Sequence, residues 1–134
     1  MQSWNFGHFG NGFLAAGQER RDVASLPWTE HKDFKGVFLK TVVTSGDTRN
    51  AFTCHLVRIE PGCAIGLHTH PASLELHEVV TGEGSCVTPE GEIPYTPGVM
   101  AILPQNEPHE VRAGKAGLCL LAKFVTAGGG NSAA

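Results

Sequence analysis

No apolar run in the 134 residues approaches the roughly 20 that a membrane helix needs. The opening "MQSWNFGHFGNG" lacks the charged start and apolar core of a secretion signal, so a cytoplasmic location with no membrane partner is the expectation. Basic charge is also scarce. With 10 Lys and Arg against 13 Asp and Glu, the net charge of −3 offers no positive field to a phosphate backbone, and nucleic acid is not an expected partner. Cys54, Cys63, Cys86 and Cys119 form no C-x-x-C pair, which argues against a zinc knuckle and a dithiol redox motif. In a reducing compartment Cys54, Cys86 and Cys119 read as small buried hydrophobes. No stretch repeats apolar residues at i, i+3, i+4 and i+7 over a helical length, and no helix-turn-helix pattern is present.

Turn residues, by contrast, are abundant: Gly 17 and Pro 8. The length suits one domain with its own core, and 41% hydrophobic with 17% charged residues is ordinary globular composition. From Gly36 onward, short apolar or alternating runs are cut by turn signals: "GVFLKTVVT", "AFTCHLVRIE", "LELHEVVT", "VMAILP", "LCLLAKFVT". This pattern predicts an all-β antiparallel sandwich or barrel over residues 36–126. Residues 1–35 have no sustained period, and "FGHFGNGF" sets Phe6, Phe9 and Phe13 among glycines that disfavour regular structure. They predict an irregular arm that packs by its aromatics, on one end of the barrel or on a second subunit. The stretch "AGGGNSAA", residues 127–134, has nothing to bury and reads as a flexible tail. There is no internal repeat and no second domain.

Chemistry concentrates in "LHTHPASLELHEVVTGEG", residues 67–84. On a strand, i and i+2 share a face, so His68 and His70 point the same way with Cα atoms roughly 6–7 Å apart. Glu75 begins the next strand and can bring a hard oxygen beside the two borderline nitrogens. An H-x-H pair alone also suits two solvated or hydrogen-bonded histidines. The wider pattern adds more: Gly62, five residues, His68, one residue, His70, four residues, Glu75, six residues, Gly82. A second block reads Gly98, five residues, Pro104, one residue, Asn106, two residues, His109.

At these residues the chain resembles the cupin superfamily, whose two signature blocks take this form and together hold one metal ion in a small jelly-roll β-barrel. The first block matches at every defined position. The second has Asn106 where the family usually has Gly and Ala113 where it often has Asn. Asn tolerates the left-handed conformation, so the turn before His109 is expected to survive. Fifteen residues separate Gly82 from Gly98, similar to a common intermotif length in the family, and the resemblance covers about residues 36–126.

The resemblance implies His68, His70, Glu75 and His109 as ligands of one divalent transition metal ion per chain. A three-nitrogen, one-oxygen set suits Mn, Fe, Ni, Co or Zn, with Cu ranked lower. It further implies a homodimer paired through its sheets. The function expected is a metal-dependent enzyme of dioxygenase, isomerase or lyase type acting on a small polar molecule inside the barrel; the alternative is a non-catalytic binding or sensor module in which the metal anchors the ligand. His77 falls outside the signature. Two residues after Glu75, it shares the inward face, where it could replace Glu75 as a ligand, act as a general acid or base, or hydrogen-bond within the barrel. Glu78 has the opposite parity. His55 shares a face with Val57 and Ile59 and so belongs to the core or the cavity. Arg58, Arg112 and Lys40 could meet an anionic substrate only at the barrel mouth, and the parity of the two arginines predicts a solvated face. His8 and His31 receive no role. Cavity size depends on how Cys54, Leu56, Met100, Ile102 and Leu120 project.

Overall fold

The computed structural model describes residues 4–126. Ten strands follow one another: β1 (Phe13–Ala16), β2 (Glu19–Asp22), β3 (Thr29–Glu30), β4 (Val37–Val43), β5 (Phe52–Ile59), β6 (Ala64–His68), β7 (Ser73–Thr88), β8 (Gly91–Tyr95), β9 (Met100–Leu103) and β10 (His109–Thr126). No described helix is long and apolar enough to cross a membrane.

β7 and β10 are far longer than the others, and they bend together. Gly82 and Gly117 both adopt left-handed φ, +89° and +77°. A Cβ at Gly82 would lie 2.2 Å from the Gly117 carbonyl oxygen, so the two strands approach there more closely than any side chain allows. The ladder between them shifts register between Ala113 and Leu118, at the bend. On one side of it the strand order is β3-β4-β5-β10-β7-β9, and on the other β6-β10-β7-β8, all antiparallel. Two sheets sharing two bent strands form the jelly-roll barrel.

Alternation then sorts the side chains. Val57 and Ile59 of β5, and Leu118, Leu120 and Ala122 of β10, fill the interior. Their neighbours Leu56, Cys119 and Leu121 point outward and are covered by Trp4, Phe6, Val23 and Trp28. The central strands are therefore buried on both faces, which is why "LCLLAKFVT" is almost continuously apolar. Cys54, Cys86 and Cys119 are buried free thiols, as expected.

The segment before β4 is more regular than expected. "FLAAGQERRD" folds as a hairpin, β1 against β2, turning at Gly17 with φ +63°, and β3 pairs with β4. Both hairpin strands are largely exposed, so no alternation marks them in the sequence. Phe6 packs on the sheet, whereas Phe9 and Phe13 remain exposed. Among the residues considered for the cavity, only Leu120 projects into the barrel. Leu56 packs beneath the arm, Cys54 belongs to the same outward parity, and Met100 and Ile102 lie on the outer surface, 68% and 67% exposed. The expected tail, residues 127–134, lies outside the described residues.

Candidate metal centre

Both signature blocks bring their histidines and Glu75 to the same place. His68 closes β6 and faces His109, the first residue of β10, in the ladder, while Glu75 of β7 pairs with Leu103 of β9. Two short turns carry the chain between these strands, and they are stitched to each other. Asn106 N–H donates to the His70 carbonyl at 3.1 Å, and the Gln105 amide donates to the Pro71 carbonyl. Asn106 has φ +67°, the left-handed conformation expected where the family carries Gly.

The side chains converge accordingly. His68 Nδ1 donates to the Gly66 carbonyl at 2.6 Å and His109 Nδ1 to the Glu107 carbonyl at 3.0 Å. Each backbone anchor fixes the ring and leaves Nε2 for the centre. Glu75 Oε1 lies 3.1 Å from His109 Nε2 and 3.4 Å from His70 Nε2. Its other oxygen, Oε2, accepts from His77 Nε2 at 2.8 Å, and His77 Nδ1 meets the Tyr95 hydroxyl at 2.8 Å. His77 thus stands behind Glu75, with both ring nitrogens engaged.

Glu75 is only 4% exposed. Burial pushes its carboxyl up, but the hydrogen bonds from His109 and His77 prevail and hold it well below the usual carboxylate range. Burial also pushes His68 and His70 below the ordinary histidine value, while the bonds to Glu75 and Glu107 outweigh burial at His109 and raise it. An anionic carboxylate beside His68 and His70, which favour their neutral form, is the protonation pattern that a cation requires, and a cation would take the place of the proton that His109 shares with Glu75.

The ligand atoms of His68, His70, Glu75 and His109 all lie within 4.8 Å of one another. Bonds of about 2.0–2.2 Å to a shared ion place ligand atoms at most about 4.4 Å apart, so a contraction of a few tenths of an ångström suffices and the set fits a transition metal.

A small cavity of about 70 Å³ adjoins the cluster, walled by Ile65, Leu120 and Phe124 besides the histidines, with no Lys or Arg. It shares His31 and Leu39 with an outer depression of about 480 Å³ that also includes Thr41 and His55. Nothing in the sequence marks His31. It reaches the mouth because its N–H donates to the Val37 carbonyl at 2.7 Å, continuing the β3–β4 ladder, with its ring 4.8 Å from that of Phe34. His55 bonds Thr41 and Thr53 and stands edge-on to Phe124, so it borders the mouth. Arg112 pairs with Glu110 in solvent, as its parity predicts, and Glu78 pairs with Lys123 on the outer face. Arg58 and Lys40 depart from expectation. Their outward face is covered by the arm, so Lys40 is buried and Arg58 lies against aromatic rings, both away from the mouth.

A bent two-sheet barrel with three imidazoles and one carboxylate gathered at its interior defines a jelly-roll protein with a candidate metal site. A family profile for the cupin domain matches residues 55–121, half of the chain and all four clustered side chains, and the chain belongs to the cupin family. No curated protein sequence matches it. Among solved structures it is similar to a predicted oxalate decarboxylase from Thermotoga maritima, with 19% identity over 77% of this chain and 95% of that one at TM-score 0.71. The polyketide cyclase RemF from Streptomyces resistomycificus is 17% identical over 81% of this chain and 79% of that one, also at TM-score 0.71. An ectoine synthase from P. lautus is 24% identical over 70% and 67%, at TM-score 0.62. These likenesses show the fold.

Proposed function

We propose that the chain is a metal-dependent enzyme, of dioxygenase, isomerase or lyase type, acting on a small polar molecule inside the barrel. The observation that carries this reading is the buried Glu75 carboxylate shared among His70, His77 and His109, beside a cavity open to the mouth. His68, His70, Glu75 and His109 would hold the ion. Bound there, a divalent transition metal supplies Lewis acidity toward a substrate oxygen or, if it is iron, a place for dioxygen. The residues around it do the rest. His31, Leu39 and His55 border the entry together with Lys32; Ile65, Leu120 and Phe124 flank the apolar part of a substrate and exclude water, and no Lys or Arg lines the inner cavity to clamp a second anionic group there. The solved relatives are named for dissimilar reactions, so none is carried over as the activity.

His77 acts in this reading through Glu75. It holds the carboxylate in place, and carrying a proton to substrate would require its bond to Glu75 or Tyr95 to open. The outer surface of β9, with Met100 and Ile102 exposed, is the face we assign to a homodimer contact.

Elemental analysis of protein purified without chelator or affinity metal tests the proposal. One transition metal per wild-type chain, lost in His70→Ala and Glu75→Gln, is the expected result; no stoichiometric metal after reconstitution refutes it. With metal retained, a His77→Asn variant that loses turnover identifies a proton carrier. Ligand binding with no turnover in the wild type would instead identify a sensor module.

A further inference from the structure

The outward face of β4 and β5 carries two cations that the metal centre does not use. Lys40 pairs with Leu56 and Phe38 with Arg58 in the ladder, so Lys40 and Arg58 are diagonal neighbours on one face. Lys40 is 5% exposed and donates from Nζ to the Val23 carbonyl at 2.9 Å. The Arg58 guanidinium carbon lies 4.5, 4.6 and 5.3 Å from the ring centroids of Phe38, Trp28 and Trp4. Its Nε is buried without a hydrogen-bond partner.

Among the described residues no carboxylate forms a salt bridge with either cation; the ion pairs present all lie elsewhere. The aromatic faces offset part of the desolvation of Arg58. They do not cancel the repulsion between two like charges, and both lean on the same ring, since Lys40 Nζ is 5.1 Å from Trp28. Burial, and then the Arg58 charge, push Lys40 below the usual lysine range. Burial pushes Arg58 below the usual arginine range, and the opposing pulls of Glu60 and Cys119 are weaker than that effect. A buried Lys40 beside a half-buried Arg58 with no counter-charge is costly, and an anion is the group that relieves the pair.

There is room for one. A pocket of about 420 Å³ opens over the pair, walled by Trp4, Asn5, Phe6, Gly7 and Trp28. We propose that this pocket binds a small anion of the carboxylate or phosphate class, held between Lys40 and Arg58 beneath the two indoles. Lys40 keeps N–H donors beyond the one given to Val23, and Arg58 offers a planar fork suited to two oxygens. The site lies on the opposite face of β5 from Val57 and Ile59, so it is separate from the barrel interior and does not rest on the metal reading.

Trp4 and Trp28 are the two tryptophans of the chain, so intrinsic fluorescence reads this pocket directly. The full chain would be titrated with inorganic phosphate, and in a parallel arm with acetate, at ionic strength fixed with sodium chloride. A saturable change with one or both anions is expected, retained in His70→Ala and weakened about ten- to a hundredfold in Lys40→Met and Arg58→Gln, as loss of one charge-assisted partner implies. A response that does not saturate, or that is unchanged in both charge variants, overturns the proposal. If either variant fails to fold, indole N–H and histidine ring resonances followed by NMR in the wild type decide: phosphate-induced shifts at Trp4 and Trp28 support the site, and shifts confined to His68, His70 and His109 overturn it.

Discussion

Replacing His77 with phenylalanine keeps a ring in the barrel and removes both nitrogens. Glu75 Oε2 then loses its 2.8 Å donor while the carboxylate stays buried at 4% exposure. Two routes give the magnitude. A hydrogen bond to a charged group contributes about 1.5–3 kcal/mol. Loss of a partner that orients a metal ligand weakens metal affinity about 10–100-fold, or about 1.4–2.7 kcal/mol. The two agree, so His77→Phe is expected to bind zinc or manganese about 10–100-fold more weakly in competition with a chromophoric chelator. His77→Gln, whose amide can still donate to Glu75, should recover part of the loss. Tyr95→Phe removes only the outer member of the relay, leaving the His77–Glu75 bond intact, and should cost less than about tenfold on the same scale. Affinity of His77→Phe within about twofold of the wild type would show that the bond does not position the ligand, and the reasoning would fail.

Gly82→Ala should destabilise the fold by more than about 3 kcal/mol in urea unfolding, because the new methyl meets the Gly117 carbonyl at a left-handed φ; a normal midpoint would mean that the strand crossing relaxes easily. Arg21 grips Asp47 through both oxygens at 2.7 and 3.0 Å and, with the Thr44 backbone N–H, holds its carboxyl below the ordinary value near 3.8. The folded value is depressed, so the stabilisation is fully present above about pH 4 and is lost as pH falls below it; the stability gap between wild type and Asp47→Asn should close over that fall, and a gap that persists in acid would remove the charge from the account. Ile102→Asp places a charge on the assigned dimer face and should shift sedimentation from dimer to monomer, whereas an unchanged dimer would move the interface elsewhere.

The ligand set was legible because strand geometry fixes it. His68 is the last residue of β6, His70 lies in the turn, and Glu75 is the third residue of β7, so the intervals between them are those of two strand ends and their loop. The inward parity of Glu75 and His77 was equally readable, since Leu76 and Glu78 take the opposite face of the same strand. What parity cannot supply is the cover on the other face. Arg58 points outward as its position requires, but outward is beneath Trp4 and Trp28, contributed from more than twenty residues away in sequence. The same limit hid His31. Its place at the mouth depends on β3 pairing with β4, and a two-residue strand leaves no periodic trace.

The positions of the four clustered side chains also connect stability to function at this end of the barrel. His68 and His109 come from the β6–β10 ladder of one sheet, Glu75 from the β7–β9 ladder of the other, and His70 from the turn between them. Without a cation, this end of the barrel depends on Glu75 accepting from imidazoles of both sheets, an arrangement that keeps a buried anion in place only while His77 and His109 donate to it. A bound ion would tie the same two sheets through the same atoms. The buried carboxylate that makes the site chemically useful is therefore also a tie between the two sheets, added to the bent strands β7 and β10 that they share, and a change to any one of its partners acts on both.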